Sequence, residues 1–448
     1  MPAPRDRKQS VDSESAVLVG VQLPERSYHG EPLGELTGLV ETAGAQVVGR
    51  LTQKRQTPNP ATYIGHGKVD ELASLVQATE ADVVIFDNDL SPGQIRNLEE
   101  SLKVKVLDRT EVILDIFSSR AQTHEARLAV ELAQLEYSLP RLRGMWTHLS
   151  RIKMGVGMRG PGEKQLETDR RLAERRIRDL RRDLEGIHRR KEREVAARRD
   201  RMTVSLVGYT NAGKSTLMNA LTGSDVLAED KLFATLDTRT RRWQLPAWGP
   251  VLLSDTVGFI RDLPHHLIAS FKATLEEARQ ADLLIHVADA SSPAALDQIA
   301  AVYEVLRELN IEEKDTLLAL NKVDQVEDAT RLQSIRSLYP AAVLISAKNG
   351  DGLSRLAAAV SDALSQDFLE LDVRFDVSNG RMLSFLAKYG EVLSRTFNGE
   401  KAIIHCRISR KHLGTLREDA SVEIRAYDSV GAAGRHEKPA DGAIGEVA

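Results

Sequence analysis

Short apolar runs alternate with helical spacing along the first part of the chain. The runs AVLVGVQL (residues 16–23) and ADVVIFDNDL (residues 81–90) are typical of buried strands, and the pattern LGELTGLVETAG between them is typical of a helix. We therefore predict a small α/β domain over residues 15–120. The polar residues 1–14 before it are expected to form a disordered leader.

The next two segments carry apolar residues at every third or fourth position. One covers residues 123–142 and the other residues 162–199. Such spacing gives each helix a narrow apolar seam, and two seams bury one another when the chain folds back as an antiparallel hairpin. We predict this hairpin over residues 121–200, with its turn at residues 145–161.

The following segment has the strand and helix spacing of βαβ units. TVSLVG, VLLSDT, DLLIHVAD, TLLALN and AVLIS read as buried strands. They predict a domain over residues 201–366 that is built on a mostly parallel sheet. Beyond it, LDVRFDV, the helical pattern GRMLSFLAKYGEVLSRTF and KAIIHCRIS predict a small α/β C-terminal domain over residues 367–430. Residues 431–448, rich in Gly and Ala, are expected to be disordered. The predicted fold class is thus a multidomain α/β protein.

Composition narrows the class of protein. The 448 residues exceed what one core usually organises, and the formal net charge of −4 gives no averaged sign of a polyanionic partner. The lone Cys406 excludes an intrachain disulfide and a cysteine-based metal cluster, and a buried apolar role suits it. No run approaches the ~18 apolar residues that span a bilayer. We expect a soluble, cytoplasmic protein that does not bind membranes.

The predicted hairpin differs from the rest of the chain in charge. Residues 151–201 hold 18 Lys or Arg against 10 Asp or Glu, a surplus of eight. The Gly-rich turn carries four cations that are candidates for RNA contact: Arg151, Lys153, Arg159 and Lys164. A flexible linker would show similar charge and glycine content. Met154 and Met158 favour RNA binding, because their side chains could rest on base or ribose faces.

The segment GYTNAGKST matches the phosphate-loop pattern directly after the strand TVSLV and before the helical pattern STLMNALTG. Gly208 and Gly213 allow consecutive backbone N–H groups to curl around phosphates. Lys214 is expected to reach the β- and γ-phosphate oxygens, and Ser215 to offer its hydroxyl to Mg²⁺. The motif therefore predicts a nucleotide site with Mg²⁺ as cofactor.

Three further motifs follow in the order of a guanine-nucleotide switch protein. DTVG places Asp255 where its carboxylate holds Mg²⁺ through water, and Gly258 where its N–H meets the γ-phosphate. In NKVD, Asp324 accepts two hydrogen bonds that guanine offers and adenine does not, while Asn321 secures the loop and base. In SAK, the Ala347 N–H is placed to contact the base oxygen. Together the motifs predict GTP and GDP as ligands.

The segment EDKLFATLDTRTRR between the phosphate loop and DTVG is polar and without strong periodicity, as expected of a mobile switch. A hydroxyl here should close onto Mg²⁺ when the γ-phosphate is present, with Thr235 the first candidate and Thr238 the second. The predicted GTP-binding residues are Gly208, Tyr209, Thr210, Asn211, Ala212, Gly213, Lys214, Ser215, Thr216, Phe233, Thr235, Asp255, Thr256, Val257, Gly258, Asn321, Lys322, Asp324, Ser346, Ala347 and Lys348. The predicted Mg²⁺ residues are Ser215, Thr235 and, through water, Asp255.

Four segments outside the nucleotide motifs resemble the HflX family of ribosome-associated GTPases. They are PATYIGHGKVDEL (60–72), LDRTEVILDIF (107–117), ARLAVELAQLEYSLPRL (126–142) and GPGEKQLETDRR (160–171). The similarity extends over about residues 15–425. It implies a monomeric P-loop GTPase that binds the large (50S) ribosomal subunit and splits stalled 70S ribosomes under stress, with the turn of the hairpin reaching ribosomal RNA. The alternative is an RNA-binding regulatory GTPase that times 50S occupancy or assembly without splitting.

The short motif GHGK (residues 65–68) could be a second phosphate site, because a helical pattern follows it. A tight turn before a helix explains the same residues. We favour the turn.

Phe259 stands where many switch proteins place a glutamine that orients the attacking water. An aromatic ring makes no such hydrogen bond, so no catalytic residue is assigned. Two sources of the missing function remain: a partner that completes the site, or a K⁺ ion near the phosphates. Asn211 is placed as in GTPases that use K⁺.

Overall fold

The computed structural model describes residues 14–24, 31–152, 161–197, 202–223, 232–233, 239–246, 248–261, 277–308, 311, 316–417, 419 and 421–426. Two compact units are present. The first covers Met1–Glu194 and Thr203–Val360, and the second covers Val195–Met202 and Ser361–Ala448. The six segments expected from the sequence are finer than this division, and their boundaries stay predictions.

The first unit begins with a parallel four-stranded sheet of order β2-β1-β3-β4. Its strands are β1 (Ser15–Gln22), β2 (Gln46–Lys54), β3 (Val83–Phe86) and β4 (Lys105–Asp108). Its helices are α1 (Gly34–Thr42), α2 (His66–Thr79), α3 (Pro92–Leu102) and α4 (Arg109–Arg120). Alternate residues of β1 pack into two different apolar cores, one beneath α1 and α4 and one beneath α2 and α3. Strands β1 and β3 are therefore buried on both faces, as their apolar runs predict. Gly65 is the extended N-cap of α2, and residues 66–68 form the first turn of that helix, so GHGK begins a helix but is not itself a tight turn.

Two long helices follow, α5 (His124–Ile152) and α6 (Pro161–Ala197). Leu128 and Leu132 of α5 pack against Ile177 and Leu180 of α6, so the predicted seams bury one another. The predicted turn at residues 145–161 was too long, because α5 continues to Ile152. Gly144 alone does not end the helix. Gly155, Gly157 and Gly160 lie outside the described residues, and Gly162 is already part of α6.

The base of α5 is fixed to the N-terminal sheet by a buried carboxylate. Asp108 ends β4 and accepts hydrogen bonds from Tyr137 Oη at 2.6 Å and from an Arg141 guanidinium nitrogen at 2.7 Å. It also caps α4 by accepting the Glu111 N–H. Burial raises the pKa of Asp108, and Arg141 and the Tyr137 hydroxyl oppose that rise. One side chain thus joins the hairpin, β4 and α4.

The second sheet of the first unit has six strands in the order β10-β9-β8-β5-β7-β6, of which only β6 is antiparallel. Its strands are β5 (Thr203–Gly208), β6 (Arg239–Leu245), β7 (Gly249–Asp255), β8 (Leu283–Asp289), β9 (Thr316–Asn321) and β10 (Val343–Leu344). Its helices include α7 (Lys214–Thr222), α8 (Ala295–Glu308), α9 (Ala329–Leu338) and α10 (Leu353–Asp367). The mostly parallel sheet is confirmed. The end of the expected switch segment, from Arg239, is strand β6 and not irregular chain.

One apolar cluster, here called the shared core, contains residues of both sheets' layers. Phe117 of α4 lies in it with Phe233 and Phe259, which come from the two segments flanking the nucleotide motifs. The rings of Phe117 and Phe233 meet edge to face at 4.7 Å between centroids. The shared core therefore ties the N-terminal helices to the nucleotide-binding part.

The second unit contains an antiparallel sheet of order β12-β13-β11-β14. Its elements are β11 (Phe368–Asp376), α11 (Gly380–Tyr389), β12 (Gly390–Asn398), β13 (Lys401–Ser409), α12 (Leu413–Arg417) and β14 (Glu423–Ala426). The prediction of one helix over GRMLSFLAKYGEVLSRTF was wrong in its second half, which is β12. The two-residue loop Gly399–Glu400 after it, with Gly399 at a φ of 62°, turns the chain into β13. Cys406 is fully buried in this core, as expected.

Within the described part of the chain, no helix is both long enough and apolar enough to cross a membrane.

Candidate nucleotide site

The phosphate loop connects β5 to α7. Asn211 and Gly213 both have positive φ, at 60° and 91°. A Cβ on Gly213 would collide with the amide nitrogen of Asn321, so this position accepts only glycine without rearrangement. The N-terminus of α7 then starts at Lys214, where the helix dipole favours an anion.

Lys214 is buried under the loop with its ammonium group held by two carbonyls. Its Nζ donates to Gly208 O at 3.0 Å and to Tyr209 O at 2.9 Å. Burial lowers the pKa of Lys214 to about 8, and the negative charge of Asp255 only partly opposes this shift. A bound phosphate would supply the compensating negative charge, so the buried ammonium favours an anionic ligand.

Two oxygen side chains that are suited to Mg²⁺ converge beside the loop. Ser215 Oγ donates to Asp255 Oδ2 at 2.6 Å, and Asp255 is fully buried at the end of β7. A hydroxyl and a carboxylate are the hard donors that Mg²⁺ prefers, and P-loop GTPases use this ion. The residues fit it: Ser215 and Asp255 would hold Mg²⁺, which would offset charge on the phosphate oxygens.

The segment 255–261, which begins at the last residue of β7, is attached to the phosphate loop by backbone hydrogen bonds. The Thr210 N–H donates to Phe259 O at 2.7 Å, and the Phe259 N–H donates to Gly208 O at 3.1 Å. A Cβ on Gly258 would stand 2.7 Å from Thr210 Cα and 3.0 Å from Lys214 Nζ. Only glycine allows this close approach, which keeps the Gly258 N–H beside the phosphate-binding lysine.

The ring of Phe259 does not face the nucleotide site. Its residue is 2% exposed and belongs to the shared core. In the structure the Phe259 ring packs against the N-terminal helices and so attaches the segment 255–261 to them.

The base-binding motifs are linked to the phosphate loop by Asn321. Its Nδ2 donates to Ala212 O at 2.9 Å, and its Oδ1 accepts from the Ala347 N–H at 2.9 Å. Lys322 has a φ of 60° and pairs with Asp289 at 2.8 Å. Asp324 follows in a short 3₁₀ turn with its side chain exposed. Asn321 thus joins three of the four motifs at one end of the sheet.

Some predicted site residues lie elsewhere or outside the described residues. The Phe233 side chain is 1% exposed in the shared core, and its backbone N–H donates to Thr210 Oγ1 at 2.8 Å. The backbone of Phe233 is therefore hydrogen-bonded to the phosphate loop, while its ring packs in the shared core. Thr235, Thr238, Lys153 and Arg159 lie outside the described residues, as do the side chains of Arg151 and Lys164. Their predicted roles stay predictions.

Sequence reasoning missed a buried histidine behind the phosphate loop. His286 lies on β8 opposite Val207 and packs edge to face on Tyr303 at 5.0 Å. Burial and then the charge of Lys214 lower its pKa to about 3, so the ring is neutral at physiological pH. The signal was a single histidine inside the apolar strand DLLIHVAD.

Sequence reasoning also missed two residues of the N-terminal layers that approach the loop, Glu35 and Arg109. No local pattern marks them, because the contact joins positions far apart in the chain.

Three family models match consecutive parts of the chain. They are described as "GTP-binding GTPase N-terminal" for residues 30–118, "GTP-binding GTPase Middle Region" for residues 120–198, and "50S ribosome-binding GTPase" for residues 203–322. The third covers the phosphate loop, DTVG and the start of NKVD.

Whole-chain relatives decide the family. GTPase HflX of Escherichia coli (strain K12) is 47% identical over 374 residues, which are 83% of this chain and 88% of the relative. The chain belongs to the HflX family of GTPases. HflX of Lacrimispora saccharolytica is 43% identical over 410 residues, covering 91% of this chain and 96% of the relative. A GDP-bound GTP-binding protein of Sulfolobus solfataricus has 25% identity and a TM-score of 0.42, over 79% of this chain and 99% of that one.

As a member of the HflX family, the protein binds guanine nucleotides and hydrolyses GTP to GDP and phosphate.

The Gly213–Asn321 contact generates the first prediction. In Gly213→Ala the new methyl displaces the Asn321 amide, which loses its hydrogen bonds to the phosphate loop and to Ala347. Because each lost hydrogen bond costs about 0.5–1.5 kcal/mol, we expect affinity for GTP and GDP to fall about 10- to 100-fold. Fluorescent-nucleotide titration measures this.

Gly223→Ala is the matched control. Gly223 also has positive φ, at 63°, but nothing lies within 4 Å of its added Cβ. It should lower stability by about 1 kcal/mol from backbone strain alone, with nucleotide affinity within about twofold of the parent. Equal affinity losses in the two variants would contradict the role of the Asn321 contact.

Proposed function

We propose that this GTPase binds the large (50S) ribosomal subunit in its GTP form and splits stalled 70S ribosomes under stress. The observation that carries the proposal is the match of residues 203–322 to the family model described as "50S ribosome-binding GTPase". The bound γ-phosphate would favour the form that binds the ribosome, and hydrolysis would allow the protein to leave it. GTP would thus act as a timer, because it sets how long the protein stays bound.

The positive charge of the helical hairpin α5–α6 supports RNA as the surface that the protein binds. Helix α6 has 37 residues and would extend about 55 Å at 1.5 Å per residue. Its apolar seam is packed on α5, while cations such as Arg175, Arg178 and Arg182 are exposed. Ion pairs from Arg176 to Glu131 at 2.6 Å and from Arg181 to Glu136 at 2.7 Å join the two helices. A paired, positively charged arm suits contact with a phosphate backbone.

The position of Phe259 supports activation by a partner. Its ring is committed to the shared core, so it is not available to hold a water at the γ-phosphate. Within the described residues near Gly258, the groups that face the loop are Lys214, Ser215 and Asp255, which serve phosphate and Mg²⁺. Positioning of the attacking water would then come from the partner or from a bound cation.

The second prediction concerns turnover with and without ribosomal particles. We expect the isolated protein to hydrolyse GTP slowly and 50S subunits to raise kcat by at least about tenfold, since a missing water-orienting group costs of that order or more. Phosphate release under multiple turnover is the measurement, and 30S subunits at equal concentration are the control. Equal turnover with 50S, with 30S and with no particle would refute ribosomal activation.

The third prediction separates splitting from simple occupancy. After incubation of 70S ribosomes with the protein and GTP, sedimentation should show fewer 70S particles and more free 50S and 30S subunits. Unchanged profiles with protein bound to 50S would favour the alternative, a regulatory GTPase that times 50S occupancy or assembly. A parallel sample with GDP tests whether the effect requires the γ-phosphate, and splitting that is equal in GDP would remove the timer role.

The fourth prediction concerns K⁺, for which Asn211 is the candidate residue. Its side chain is exposed on the phosphate loop at a φ of 60°, which leaves its amide oxygen open to a cation. We propose that K⁺ bound there offsets charge on the phosphates, so that turnover is about tenfold faster in KCl than in NaCl at one ionic strength. Asn211→Ala should abolish the difference, whereas Asn97→Ala in the N-terminal layers should keep it. Equal GTP turnover of the parent protein in KCl and in NaCl would contradict a role of K⁺.

A further inference from the structure

A buried arginine in the N-terminal layers organises two carboxylates at the border with the phosphate loop. Arg109, the first residue of α4, is 3% exposed. One guanidinium nitrogen donates to Asp87 Oδ1 at 2.7 Å and the other to Glu35 Oε1 at 2.6 Å. Burial alone would lower the pKa of Arg109, but Glu35 and Asp87 outweigh it and raise the pKa. Arg109 therefore keeps its positive charge and holds the two carboxylates in place, and the three side chains are called the ionic platform below.

The phosphate loop reaches this platform through the side chain of Tyr209. Its hydroxyl donates to Glu35 Oε1 at 2.6 Å and accepts the backbone N–H of Arg261 at 2.7 Å. Burial first, and then the negative charge of Glu35, raise the pKa of Tyr209, so the hydroxyl stays protonated and keeps donating. One hydroxyl thus connects the N-terminal layers, the phosphate loop and the segment 255–261.

Arg261 also contacts the ionic residues of the N-terminal layers. Its carbonyl accepts from Arg109 at 3.3 Å, and its guanidinium lies 3.4 Å from Asp87. Phe259, two residues earlier, is held by its backbone bonds to Gly208 and Thr210 and by its ring in the shared core. Gly258 therefore stands at the start of a stretch that is fixed at Phe259 and at Arg261.

We propose that the Tyr209 hydroxyl and Glu35 are positioning residues for GTP: they order the segment 255–261 before nucleotide binds, so that the γ-phosphate meets a Gly258 N–H already in place. The N-terminal layers then contribute to recognition of the γ-phosphate, because they hold the segment that contains Gly258. This inference rests on GTP binding by the family and not on the ribosomal role, so it stands or fails without ribosomes.

The expected effect is selective for the triphosphate. A segment that is loose before binding loses conformational freedom when the γ-phosphate captures Gly258, and this loss weakens binding. GDP has no γ-phosphate and does not contact Gly258, so its affinity does not depend on that order. Loss of the Tyr209 hydroxyl should therefore weaken GTP binding and leave GDP binding as it is.

The fifth prediction tests this with Tyr209→Phe and Glu35→Gln. Tyr209→Phe keeps the ring and removes only the hydroxyl, which deprives the Arg261 N–H of its acceptor. We expect Kd for a non-hydrolysable GTP analogue to rise about five- to tenfold, the loss typical of one buried hydrogen bond, with Kd for GDP within about twofold. Tyr209→Phe removes both hydrogen bonds of the hydroxyl, whereas Glu35→Gln keeps an accepting oxygen but removes the charge that faces Arg109. Because the two changes act on one network, the double variant should lose less than the sum of the two single effects.

Tyr339→Phe is the matched control, since it removes a hydroxyl from the same compact unit, at the C-cap of α9, where Tyr339 packs against a different apolar cluster from Tyr209. It should change neither affinity. Thermal unfolding of every variant separates loss of fold from loss of positioning. Equal weakening of the analogue and of GDP would reduce Tyr209 to a structural residue and overturn the proposal. Tighter binding of the analogue would also overturn it, because the network would then restrain the segment and not prepare it. If the analogue-specific loss occurs while 50S subunits fail to stimulate turnover, the positioning role holds and the ribosomal proposal fails.

Discussion

The packing of Phe117, Phe233 and Phe259 in one apolar cluster is the contact on which the rest of the first unit depends. Two of these rings come from segments that flank the nucleotide motifs, and the third comes from a helix of the N-terminal layers. Because apolar burial favours contact without prescribing direction, rings alone would leave the segments free to slide. The backbone bonds of Phe259 and the hydrogen bonds of Tyr209 supply the missing direction.

This arrangement explains an aromatic residue where other switch proteins have glutamine. A glutamine at position 259 would place a polar amide in the shared core, where an unpaired polar group costs stability. The phenylalanine instead stabilises the contact between layers and gives up direct chemistry at the γ-phosphate. The side chain at position 259 can either pack between the layers or orient a water, but it cannot do both.

The sequence predicted those features whose cause is local. The phosphate loop, DTVG and NKVD depend on residues a few positions apart, and the apolar strands around them have a clear period. The strand β12 was missed because GEVLSRTF has helical spacing, and the turn at Gly399 that follows it was not weighed. The contact of Glu35 with Tyr209 joins positions 174 residues apart, and nothing in either neighbourhood marks the other. Local motifs located the nucleotide site, whereas its attachment to the N-terminal layers required the structure.

Asp108 and Arg109 are neighbours in sequence, yet they belong to different networks. Asp108 accepts from Tyr137 and Arg141 of the hairpin helix, while Arg109 holds Glu35 and Asp87 beside the phosphate loop. One added or deleted residue where α4 begins would turn every following side chain by about 100° around the helix axis. Arg109 would then leave its carboxylates even if its identity were kept. Chain length at this junction is therefore as constrained as residue type, and length variation in these layers is best tolerated in loops away from it.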